Sequence, residues 1–105
     1  MTTHTQNDLD DFSSKNPSIC IPRVFADIRG DFISNIFQNQ LKLGKLKKVD
    51  IIRNHNDKKF NKVFIHFDVW YDTEMSNNIK QKLLNGDIIK IVYDFPWFWR
   101  CVMSR

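Results

Sequence analysis

Between residues 60 and 70 the chain alternates. Val63, Ile65, Phe67 and Val69 fall on one side of an extended backbone, and Lys62, Phe64, His66 and Asp68 on the other. A period of two over this length predicts a strand with one buried face. Ile19 and Ile21, with Cys20 between them, predict a short first strand. Pro22 cannot donate to a ladder, so it is expected at the end of that strand or beside a bulge. Phe32, Ile33, Ile36, Phe37 and Leu41 recur at helical spacing, with Asp27 or Asp31 as the N-cap and Leu43 and Gly44 as the stop. Leu46, Val49 and Ile51 predict a second strand, and residues 53 to 59 a charged loop leading into the long strand. Thr73 is the expected N-cap of a second helix carrying Met75, Ile79, Lys82, Leu83 and Leu84, which Asn85 and Gly86 stop. Ile89, Ile91 and Tyr93 alternate with Lys90, Val92 and Asp94 in a last strand.

Strand, helix, strand, strand, helix, strand is the order of an α+β, ferredoxin-like βαββαβ fold. It implies a four-stranded antiparallel sheet with both helices on one face and the first and third strands at its centre. The opposite face is left without a helix. Residues 1–16 are polar, with Leu9 and Phe12 as their large apolar groups, and read as a disordered tail. Residues 17–95 would form the domain, and residues 96–105 an aromatic C-terminal extension.

Composition sharpens this picture. At 105 residues and 42% hydrophobic, the chain can bury a core in one domain. Its formal charge is +4; residues 1–16 hold Asp8, Asp10, Asp11 and Lys15, a net −2, so the remainder carries +6. That balance favours polyanionic partners. Cys20 and Cys101 make no disulfide framework and no zinc spacing, and His4, His55 and His66 have no metal-site spacing. No apolar run is long enough to cross a bilayer, and residues 1–16 lack a signal-peptide pattern, so an intracellular protein without a membrane partner is expected. The three glycines, Gly30, Gly44 and Gly86, form no phosphate loop, and no nucleophile–base set or framed carboxylate pair appears. Neither an enzyme nor a cofactor is expected.

Two stretches resemble the RNA recognition motif family. Its octamer, basic–Gly–aromatic–Gly/Ala–Phe–Val–x–aromatic, is matched in its second half by Phe64, Ile65 and Phe67. Its first half is not followed: Phe60 and Asn61 replace the basic residue and the glycine, and Lys62 replaces a stacking aromatic. Residues 19 to 24 match the first-strand pattern, with Cys20 where a second stacking ring would stand, and residues 83 to 86 have the family's look. The ending Phe95, Pro96, Trp97, Phe98, Trp99 also resembles small RNA-recognition-like proteins of large DNA viruses.

The resemblance implies binding of single-stranded RNA or DNA on the open face, with low sequence selectivity. Phe64 would stack on a base, with Lys62, His66 and Cys20 around it; Arg23 and Lys90 flank the sheet. Arg53, His55, Lys58 and Lys59 in one loop, and Lys42, Lys45, Lys47 and Lys48 before and in the second strand, could track a phosphodiester backbone or be solvated lysines on loops. Phe64 could instead be covered by a neighbour. Trp97, Phe98 and Trp99 admit three readings: they close the core, they fold over the sheet face, or they anchor a protein partner. The last belongs to an alternative function, a protein-interaction module on the same fold.

Overall fold

A computed structural model describes residues 16–104. The tail expected over residues 1–16 lies outside them, apart from Asn16. The elements are β1 (Ile19–Phe25), α1 (Gly30–Ser34) running into a π-helical stretch (Asn35–Gln40), β2 (Gly44–Arg53), β3 (Phe60–Trp70), α2 (Glu74–Leu84), β4 (Ile89–Asp94) and β5 (Trp97–Met103). They build an α+β fold with one five-stranded antiparallel sheet in the order β2-β3-β1-β5-β4. This corrects the four-stranded ferredoxin-like order: β4 does not lie beside β1. The segment read as an extension after the domain turns at Phe95 and Pro96 and returns as β5, which takes the place next to β1. Trp99, Cys101 and Met103 face inward along it while Arg100 is exposed, so it carries its own two-residue period.

The long strand behaves as predicted through Phe67. Val63, Ile65 and Phe67 are buried, but Val69 is half exposed and Trp70 is buried instead. β3 pairs with β2 through two offsets that compensate one another: Asp68 is the extra residue on β3, Lys47 the extra residue on β2. The first offset turns Trp70 inward, where its ring stacks on Phe67 at 4.2 Å and its Nε1–H donates to the Pro17 carbonyl at 3.0 Å. Gly44 opens β2 rather than ending the helix. A side chain there would collide with the Val69 carbonyl oxygen, so the two backbones approach as only a glycine allows. The helix stop falls on Lys42, at φ 53.

Caps explain the helix ends. Thr73 caps α2, its hydroxyl accepting from the Ser76 N–H at 3.2 Å, and Gly86 at φ 88 ends it. Neither Asp27 nor Asp31 caps α1; Arg29 holds that position without a side-chain bond, and Asp31 accepts from the Phe32 N–H from within the first turn. Ile33, Ile36 and Phe37 from the first helical segment and Leu83 from α2 join one core with Ile19, Ile21, Val24, Val63, Ile65, Ile89, Ile91 and Trp99. The alternate residues of the central strands point away from that core.

Candidate functional site

The cross-strand registers lay out the outward face in rows. Asp50, Phe64, Cys20 and Val102 form one row across β2, β3, β1 and β5. Ile52 stands beside Lys62, Lys48 beside His66, Lys90 beside Arg100 and Val92 beside Phe98. Phe64 is half-buried within its row, and no described helix contributes to this face. Lys62, Lys90, Arg100 and Lys48 set positive charge around it.

His66 is committed to its neighbours. Its Nε2 lies 3.1 Å from Asp50 Oδ2 and its Nδ1 2.8 Å from Ser18 Oγ. A carboxylate can only accept, so Nε2–H donates to Asp50, and in the neutral ring Nδ1 accepts from the Ser18 hydroxyl. Asp50 also pairs with Lys48 at 3.6 Å. The β2 side of the face is thus a fixed polar network, not a free ring set beside Phe64. This Ser–His–Asp chain does not line the opening between β1 and β5.

The other half of the sheet holds an opening. β1 and β5 pair at Ile19–Met103 and Cys20–Val102 and then part. Pro22 has no N–H to give, and the register of β1 shifts between Ile21 and Val24, which leaves one more residue on β1 than on β3. The expectation of a bulge beside Pro22 holds. Further along, the strands meet again through side chains, where Phe25 and Trp97 make an edge-to-face contact at 5.6 Å. Between the two junctions lies a fissure of about 670 Å³, walled by Phe25, Phe60, Tyr93, Trp97, Phe98 and Trp99, with Arg23 and Arg100 on it.

The rings and guanidinia of this fissure are held in contact. Phe25 stacks on Phe60 at 5.2 Å, and Arg23 lies 4.2 Å above the Phe60 ring. Lys90 Nζ sits 4.2 Å above the Phe98 ring, with the Arg100 guanidinium 5.9 Å from the same ring. Trp99 forms the floor, stacked between Tyr93 at 4.3 Å and Phe37 at 6.0 Å. Trp99 is 2% exposed and Trp97 54%. The three C-terminal rings therefore divide: Trp99 closes the core, Phe98 lies on the outward face, and Trp97 stands at the rim.

No known protein family, no curated protein and no solved structure matches this chain. Its own residues therefore carry the reading. Among the described residues no cluster of His, Cys, Asp and Glu could hold a metal ion, and no helix is long and apolar enough to cross a membrane.

The predicted residues fall into two groups. Lys62, Phe64, His66 and Cys20 come together on the outward face. Lys90 reaches the fissure side through Phe98, and Arg23 lines the fissure itself. Arg53, expected in the loop, is the last residue of β2 and pairs with Asn61, while Lys58 and Lys59 are exposed in the loop at the same end of the sheet; the Lys59 carbonyl accepts from the Ala26 N–H at 2.8 Å. Asp57 of that loop lies 4.0 Å from Arg23 and offsets part of its charge. Lys45 and Lys47 are on β2, away from this group.

Sequence reasoning missed Phe25, Phe60 and Arg100. Phe60 was visible as the residue that replaces the octamer's basic position. The thiols differ by burial. Desolvation raises Cys20, with Lys62 opposing it, whereas Cys101, beneath the sheet, is pushed up to about 12, chiefly by burial and secondarily by Cys20. Burial also raises the Tyr93 phenol, reinforced by Asp94 and Asp27.

Proposed function

We propose that this protein binds single-stranded nucleic acid, RNA foremost, on the outward face of its sheet. The observation that carries the reading is that face itself: a half-buried ring, Phe64, and a second, Phe98, on a surface bearing Lys62, Lys90 and Arg100, with no described helix across it. The partial match to the RNA recognition motif octamer supports it, because β1 and β3, the strands carrying that family's two patterns, are neighbours here. Base–aromatic stacking is tolerant of sequence, so selectivity should be low. Charge supplies most of the affinity.

The test is a salt titration against a labelled single-stranded RNA followed by anisotropy. Four cations engaged on a single strand give a slope of log K against log salt of about −3. Phe64→Ala should weaken binding several-fold. Absence of binding at low salt, or affinity indifferent to salt, would overturn the proposal.

A protein-interaction module is the second reading. It is favoured by Phe95, 87% exposed, and Trp97, 54% exposed, at the tip of the β4–β5 hairpin. Trp99 could not contribute to such a surface from the core. Absence of oligonucleotide binding, with a defined partner lost in Trp97→Ala, would favour this reading.

A further inference from the structure

We propose that the β1–β5 fissure receives one unstacked base of the bound strand, with Arg23 and Arg100 meeting the flanking phosphates. The proposal rests on the nucleic-acid reading above and assigns a place within it. Three properties of the fissure select this occupant.

Its shape is a slot. Backbone pairing at Cys20–Val102 closes one end and the Phe25–Trp97 contact the other, and about 670 Å³ lies between. That volume is within the range of small-ligand sites and admits a flat heterocycle with its sugar.

Its walls are aromatic faces and edges, which hold planar groups better than branched aliphatic ones. Arg23 already stacks on Phe60 at 4.2 Å, so its guanidinium plane continues the aromatic wall. Bases commonly stack on such planes as well as on rings.

Its charge is positive. Arg23 and Arg100 line it, and Lys90 sits just outside over Phe98. Among the described residues Arg100 has no carboxylate within ion-pair distance, and Arg23 has Asp57 at a marginal 4.0 Å. A cationic or methylammonium ligand is disfavoured by this charge, although aromatic cages otherwise suit it and Asp94 and Asp27 act on the Tyr93 wall. What remains is a planar, apolar-faced group carrying anionic ones, which describes a nucleotide within a strand. Phe98, Lys90 and Arg100 also continue the outward face, so a strand lying there runs to the mouth of the slot.

The tryptophans supply the readout. Trp70 is 6% exposed and Trp99 2%, while Trp97 is 54% exposed. Emission accessible to acrylamide therefore reports on the fissure rim. The intact chain is titrated with a single-stranded octanucleotide and, separately, with an abasic octamer of the same backbone. The normal oligomer is expected to shield Trp97 from acrylamide and the abasic one to bind without shielding it. Trp97→Ala should lower affinity for the normal oligomer about tenfold and leave the salt slope unchanged. Arg100→Gln should reduce that slope by about 0.7. Both variants alter exposed side chains, and circular dichroism checks that they fold. Oligonucleotide binding with Trp97 equally accessible, and undiminished in Trp97→Ala, overturns the slot and leaves the face reading standing. No oligonucleotide binding at all overturns both. Shielding of Trp97 by an acidic aromatic peptide, but not by the oligonucleotide, also overturns the slot.

Discussion

Asp50 Oδ2 lies 3.1 Å from His66 Nε2, across β2 and β3, on the face proposed to meet phosphate. Its negative charge sits next to Phe64 in the same row. Removing it should help a polyanion: one unit charge at roughly 8 Å in a water-like dielectric is worth about 0.5 kcal/mol. Asp50→Asn is therefore expected to raise RNA affinity about two- to threefold at low salt, with the gain fading at high salt. Anisotropy titrations at two salt concentrations check this.

The two thiols should behave differently. Cys101 keeps its proton to about 12 in the folded chain, against an ordinary value of 9.0. Between those values the unfolded chain gives up a proton that the folded chain retains, so stability falls as pH rises through that window, by at most about 1.4 kcal/mol per pH unit. Urea midpoints are expected to be level near neutrality and to drop above about pH 9. A thiol reagent at pH 8 should modify Cys20 in the native chain, and Cys101 only after denaturant is added.

Trp97 and Trp99 are two residues apart and should differ sharply in their contribution to stability. Trp99 is stacked between Phe37 and Tyr93 and buried. Trp99→Ala is expected to cost about 3–5 kcal/mol. Trp97→Ala removes an exposed ring and should cost about 1 kcal/mol or less. Denaturant unfolding of both variants checks this.

Gly44→Ala should be costly for its size. The added methyl would meet the Val69 backbone oxygen, which cannot give way as a flexible side chain would. An overpacking loss of about 1–3 kcal/mol is expected, with β2 and β3 displaced near Lys45 and Val69. Gly86→Ala meets no atom but must hold φ 88, and should cost about 1–2 kcal/mol. Unfolding curves of the two variants check both values.

How far the sequence could be read depends on whether each signal is local. The strand containing Val63, Ile65 and Phe67, the Thr73 cap and the Gly86 stop were all legible, because a period or a cap is written in adjacent residues. The reversal at Trp70 was not, since it follows from the extra residue Asp68, between the partners of Lys45 and Leu46, and from a bond to Pro17, 53 positions away. β5 had its own alternation, but Pro96 and the density of rings read as an ending. The Asp50–His66 pair needed the β2–β3 register, and the fissure needed the separation of β1 from β5. Both depend on which strands become neighbours, which no single stretch encodes. Phe64 and Lys62 could be chosen from their pattern, whereas Phe25, Phe60 and Arg100 become a group only after folding.

The seam between β1 and β5 is two residue pairs wide. The C-terminal hairpin is therefore fastened to the first three strands by backbone at one corner, where the Ser104 N–H also donates to the Ser18 carbonyl, and elsewhere by packing of Ile89, Ile91, Trp99 and Cys101 into the core. It is hung like a leaf on a single short hinge, with Trp99 as its latch. Loosening the latch would swing β4 and β5 out together and leave the ladders among β1, β2 and β3 closed. Amide exchange should accordingly find the hairpin opening as one unit, ahead of the rest of the chain.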